Sequence, residues 1–342
     1  MSKSTYLASG SYGCVAKPAF KCDLEKKELI EGTVAKLFDE YDSYKTELDI
    51  HQKIAKIDKH NEFTIKLFDF CEKDIHFIRE NTDKIDDCKL LRESDKVYQL
   101  IYEDGGIDLD SFLNTKYSDF DAFEYFKKFI NVFKGIKLLI DNKLSHSDIR
   151  LDNLLFNGQR IILIDFGLLC NFDNLLEIKS FTKDEQLFYF PDEYPLYLND
   201  TDSIIEPFDL NSSLLLEIIY YKILSINNFK DKYPEYYQLT KELYNYIYEG
   251  SINYTKDFND LKKGYGNSTR KINKLFGSKL DIYQLGIVLY QSVLHIIILY
   301  GEEQINKIPK GIFEIIRKML EPDVKKRIDI RSLIRKYSRL FY

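Results

Sequence analysis

Asp148 and Asn153 lie five residues apart in the stretch LSHSDIRLDNLLFN, and Asp165 follows in LIDFGLL, 17 residues after Asp148. One carboxylate in such a set can orient a hydroxyl nucleophile. An amide and a second carboxylate are hard oxygen ligands suited to Mg²⁺. Upstream, LASGSYGCVAK places Gly10 and Gly13 between strand-like segments. A backbone without Cβ atoms can approach a polyphosphate there and offer it N–H donors, although a plain hairpin turn asks for the same residues. Thr33-Val34-Ala35-Lys36 ends an apolar strand, so that burial of Val34 and Ala35 projects Lys36 toward phosphates, with Glu47 on the next helix as the carboxylate that holds its ammonium.

These residues need a scaffold. Strand-like runs at 5–16 and 33–37 flank the glycine turn, and the charged KCDLEKKELIEG between them reads as a long hairpin loop. Leu48, Ile50, Ile54 and Ile57 give 40–57 a helical spacing, and 64–70, 75–79 and 97–102 read as strands. After Gly105-Gly106 the pattern becomes helical over 109–142. Short strands at 153–157 and 161–165 flank the turn Asn157-Gly158, and a polar loop runs over 167–195. A Tyr-rich segment over 205–275 reads as an amphipathic helical insertion.

Apolar residues are 44% and charged residues 30% of the 342, which excludes a largely disordered chain. A net charge of -6 leaves no bulk positive field, so neither nucleic acid nor a membrane is an expected partner. The apolar run 285–300 is interrupted by Gln291, Ser292 and His295 and reads as a buried core helix. The five cysteines are scattered and include no C-x-x-C pair, which indicates neither a disulfide framework nor a zinc site. With no signal-peptide core at the N-terminus, the expected setting is a reducing intracellular compartment.

Taken in order from about residue 5 to 335, these motifs resemble the eukaryotic-type serine/threonine protein kinases. The resemblance implies an α+β bilobal fold. It would have a small β-rich lobe over 1–104 and a larger, mainly helical lobe over 105–342, with an insertion at about 196–276 before the central buried helix. It implies ATP and Mg²⁺ or Mn²⁺ as cofactors, a nucleotide and a protein substrate as partners, and transfer of the γ-phosphoryl group to protein hydroxyls.

Under that resemblance Asp148 is the catalytic aspartate of H-x-D-x-x-x-x-N, Arg150 and Asn153 complete the catalytic loop, and Lys36 anchors ATP with Glu47. Asn153 and Asp165 hold the metal. Leu7, Gly10, Gly13, Val15, Ala35 and Leu155 surround the nucleotide. Tyr102 takes the gatekeeper position, and Glu103 to Gly105 form the hinge. Phe190-Pro191-Asp192-Glu193 resembles A-P-E, DIYQLG from Asp281 opens the large buried helix, and Arg327 is the expected partner of Glu193.

The chain also departs from the family. Ala8 stands for the first loop glycine, Ser147 for the arginine before the aspartate, Arg150 for a lysine, and His51 for an aliphatic residue. Ser147 cannot read a phosphate on the activation loop, where Ser180 and Thr182 lie. These departures fit a second reading, a pseudokinase scaffold that binds nucleotide and works through its Tyr-rich insertion. H-x-D-x-x-x-x-N without the arginine also occurs in aminoglycoside- and choline-type kinases, which lack the D-F-G phenylalanine and the glycine pair. The G-S-Y-G-C-V loop, the long insertion and the Lys/Ile/Asn/Tyr-rich composition are similar to kinases of large cytoplasmic DNA viruses, which implies the host cytoplasm or the virion.

Overall fold

The computed structural model describes residues 3–10, 13–23, 28–91, 95–173 and 268–342 except 322, with single positions and one short helix between 229 and 264. The Phe190–Glu193 element, Ser180, Thr182 and most of the 196–276 insertion lie outside the described residues. The chain is mixed α/β, with a β-sheet N-terminal region and a helical C-terminal part. It divides into two compact units, Met1–Gly106 and Ile107–Tyr342, two residues beyond the expected boundary.

The first unit is built on a six-stranded sheet in the order β6-β8-β5-β2-β1-β7. Its strands are β1 (Ser4–Ser9), β2 (Cys14–Lys17), β5 (Thr33–Phe38), β6 (Leu67–Asp74), β7 (Thr82–Asp83) and β8 (Lys96–Glu103). A small hairpin of β3 (Ala19–Phe20) and β4 (Leu29–Ile30) forms within the charged segment. Successive side chains of a strand point to opposite faces, which gives the sheet two different surfaces. One face buries Ala16, Ala35, Leu37, Val97 and Ile101 against Phe20, Ile75, Ile78, Ile85 and Leu91. The other carries Phe38 and Tyr98, which pack on Tyr44 of α1 (Tyr41–Ile57) at 6.1 and 5.2 Å between ring centroids.

Two expectations fail here. Residues 75–79 are not a strand but part of helix α2 (Ile75–Asn81), because the Asp74 carboxylate caps Phe77 N–H at 3.0 Å and Ile75 and Ile78 face the core together. Four of the cysteines are paired, Cys14 with Cys88 and Cys22 with Cys71, at Cα separations of 6.1 and 5.6 Å. The partners are 74 and 49 residues apart, so only the folded sheet with its 75–91 cover brings them together. Cys170, buried in the second unit, is in no disulfide.

The second unit opens with β9 (Ile107–Asp108) and α3 (Leu109–Leu113), followed by α4 (Ala122–Lys127) and α5 (Phe129–Asp141). The expected helical stretch is therefore three helices. Next come β10 (Leu144–Ser145), β11 (Leu154–Phe156), β12 (Ile161–Leu163), β13 (Cys170–Asn171) and the short α6 (Phe229–Lys232). Helix α7 (Thr269–Tyr300) follows, then α8 (Glu302–Ile305), α9 (Gly311–Met319) and α10 (Ile330–Phe341). Helix α7 is long and apolar enough to cross a membrane, yet 83% of its most apolar window is buried, as expected of a core helix. Gly286 lets it approach α9, since a Cβ there would lie 2.9 Å from that of Met319. Helix α10 packs on α5 through Phe133 and Tyr337, whose ring centroids are 4.5 Å apart.

Candidate active site

Asp148 stands between β10 and β11 on a loop that is itself held by buried side chains. Asp281, fully buried on α7, accepts His146 N–H at 2.9 Å, Ser147 N–H at 3.0 Å and the Ser145 hydroxyl at 2.7 Å. One helical turn on, Gln284 accepts Ile149 N–H at 3.1 Å and donates to Ser147 C=O at 3.0 Å. These bonds hold Ser147 at a φ of 66°, a left-handed conformation that side-chain-bearing residues rarely adopt. Burial pushes the Asp281 carboxyl pKa up, against the pull of its three donors. Neither Asp281 nor Gln284 figured among the expected site residues. Their signal in the sequence is two polar residues, three apart, inside the apolar run LDIYQLGIVLY.

His146 Nδ1 accepts Asp148 N–H at 3.3 Å, and Nε2–H donates to Ile164 C=O at 3.0 Å. Its ring meets Phe166 edge-on at 4.6 Å, tying the Asp148 loop to the segment after β12. Asn153 donates through Nδ2 to both the Asp148 carboxylate, at 2.8 Å, and the Asp148 carbonyl, at 2.9 Å. That orientation leaves Oδ1 as the acceptor of Asn153. Burial raises the Asp148 pKa, while the Arg150 charge and the Asn153 bond lower it and the nearby Asp165 charge adds to the rise.

Asp165 is exposed, has a φ of 56° and accepts Gly167 N–H at 3.2 Å. Arg150 forms an ion pair with Asp152. Ser147 turns inward, its hydroxyl bonded to Ser145 at 3.0 Å and in contact with the Cys170 sulfur at 3.2 Å. Leu155, half-buried on β11, lies opposite Ile162 and Asp108.

In the first unit Lys36 and Glu47 form the expected ion pair, both partly exposed. Val15 lies directly across from Lys36 and shares its face. Ala35 does not: it is 1% exposed and belongs to the core on the opposite face. Strand alternation gives the Lys36 face to Val34, two residues back, so the expected Ala35 does not share a face with Lys36. Leu7 is exposed at the irregularity between Tyr6 and Ala8.

Gly10 N–H closes the hairpin onto Gly13 C=O at 2.8 Å. Gly13 has a packing reason to be glycine, since a Cβ there would lie 2.8 Å from Leu37 C=O. Tyr102 is buried on β8, with its hydroxyl 3.3 Å from the Glu47 carboxylate and the His51 ring edge-on to it at 5.3 Å. Beyond it, Glu103 N–H donates to Lys66 C=O and Asp104 N–H to Gly32 C=O, each at 2.9 Å. Gly105 N–H meets no acceptor among the described residues. Lys17 pairs with Asp104.

Arg327 is 2% exposed, donates through Nε to Glu321 C=O at 2.9 Å, and lies over the Tyr283 ring at 4.8 Å. Its expected partner Glu193 is outside the described residues. The described residues hold no cluster of three His, Cys, Asp or Glu side chains that could bind a metal. Compared with models of known protein families and with curated proteins, the chain matches none.

Proposed function

We propose that the chain is an ATP-dependent serine/threonine protein kinase with a bilobal protein-kinase fold, in which Met1–Gly106 is the N-lobe and Ile107–Tyr342 the C-lobe. The observation that carries this reading is the pairing of Asp148 with Asn153 on a loop fixed by Asp281 and Gln284. A carboxylate so placed can take the proton of a protein hydroxyl. The hydroxyl oxygen forms a bond to the γ-phosphorus, the bond from that phosphorus to the β–γ bridging oxygen breaks, ADP leaves, and the proton passes to Asp148.

Lys36, held by Glu47, supplies positive charge for the nucleotide phosphates, and the Gly105 N–H offers the adenine edge a donor. The donor set suits Mg²⁺: Asp165 and Asn153 Oδ1 are hard oxygens, and the amide is already oriented by its bonds to Asp148. Bound there, the ion would screen the phosphate charges.

The test is transfer of label from γ-labelled ATP with Mg²⁺ to a generic basic protein. Wild-type protein should transfer label and Asp148→Asn should not. Nucleotide binding without transfer in the wild type would favour the pseudokinase scaffold.

A further inference from the structure

Glu47 serves two groups at once. One carboxylate oxygen, Oε2, takes the Lys36 ammonium, and the other, Oε1, accepts the Tyr102 hydroxyl over 3.3 Å. The three residues come from three elements of the first unit, β5, α1 and β8. Tyr102 reaches Glu47 because it lies opposite Val34, and so projects from the same sheet face as Lys36.

The ion pair alone is a weak restraint. At 18% and 27% side-chain exposure water screens it, and holding two long side chains in one geometry costs rotamer freedom. Tyr102 is different in kind. Its ring is 6% exposed and is met edge-on by His51, so its hydroxyl is a fixed point on the sheet.

We infer that Tyr102 is a positioning residue for Lys36: its hydroxyl holds the Glu47 carboxylate in the rotamer that keeps the ammonium at its place on the sheet face, and it acts only through Glu47. The consequence for ATP rests on the kinase reading above, whereas the positioning itself concerns the first unit alone. A phenylalanine at 102 would fill the same space and leave Glu47 Oε1 without this donor.

The experiment uses the full chain with Tyr102→Phe, Glu47→Gln, the double variant and Lys36→Met. Its first readout needs no nucleotide: the rate of reductive methylation at Lys36, followed by peptide mass spectrometry. Tyr102→Phe should raise that rate several-fold at an unchanged melting temperature, and the double variant should match Glu47→Gln alone. The second readout is steady-state transfer, where Tyr102→Phe should raise the KM for ATP several-fold and leave kcat within about twofold.

An unchanged Lys36 methylation rate in Tyr102→Phe, or an effect that adds to that of Glu47→Gln, overturns the proposal. If methylation responds as expected but Lys36→Met binds ATP as well as wild type, the positioning stands and the nucleotide reading of Lys36 falls.

Discussion

Lys36 is placed by a partly exposed ion pair on a sheet face, whereas Asp148 is placed by a loop whose backbone is bonded to buried side chains of one helix. The difference is one of magnitude. A partly exposed pair contributes about 0–1 kcal/mol, while each buried donor left without its acceptor costs about 1–3 kcal/mol. The aspartate loop therefore cannot shift without a large penalty, and the lysine can. The two compact units also differ in their fastening: the first has two disulfides around one sheet, and the second a helix core without any among its described residues.

The largest effect that separates the two units should come from reduction. Bonds closing 74 and 49 residues restrict the unfolded chain, each by roughly 4 kcal/mol in the loop-entropy model. Thiol reductant should lower protection from hydrogen exchange across β2, β5 and β6 and leave α5 and α7 unchanged. Equal loss in both units would erase the distinction.

Next in size, Asp281→Ala should destabilise the second unit by about 3 kcal/mol or more, because three buried donors lose their acceptor. Glu47→Gln should cost under about 1 kcal/mol. Denaturant titrations of the two variants compare the supports directly, and similar costs would contradict the contrast. Arg327→Ala should fall near the first of these, at about 2–3 kcal/mol, as expected for a buried side chain packed on Tyr283.

The smallest expected effect is none. Ser147 turns its hydroxyl inward to Ser145 and Cys170 and carries no cation with which to read a phosphate. Phosphatase-treated protein and a Ser180→Ala/Thr182→Ala variant should transfer phosphoryl groups within about twofold of wild type. Loss of transfer with ATP binding intact would mean that another cation reads that loop.

The residues with chemistry were legible in the sequence because their types and spacing are local: Asp148 with Asn153, and Lys36 with Glu47 one helix later. Their supports were not. Asp281 and Gln284 lie more than 130 residues from the loop they hold, and only the packing of α7 beside β10 reveals the link. The short run 75–79 read as a strand, but the cap at Asp74 decides for helix. The Cys14–Cys88 pair depends on how the 75–91 segment covers the sheet, and Cys22–Cys71 on where the segment after β3 meets β6, which no spacing encodes. That Ala35 faces away from Lys36 was legible too, since counting back two from Lys36 along a strand reaches Val34.

The division of labour between the two regions can be measured in one comparison, ATP affinity by equilibrium dialysis beside single-turnover transfer, for wild type and Asp148→Asn. The account predicts an ATP Kd within about threefold of wild type and transfer slower by at least about 100-fold, since the variant keeps the lysine side intact and removes the proton acceptor. Transfer near the wild-type rate in Asp148→Asn would contradict it.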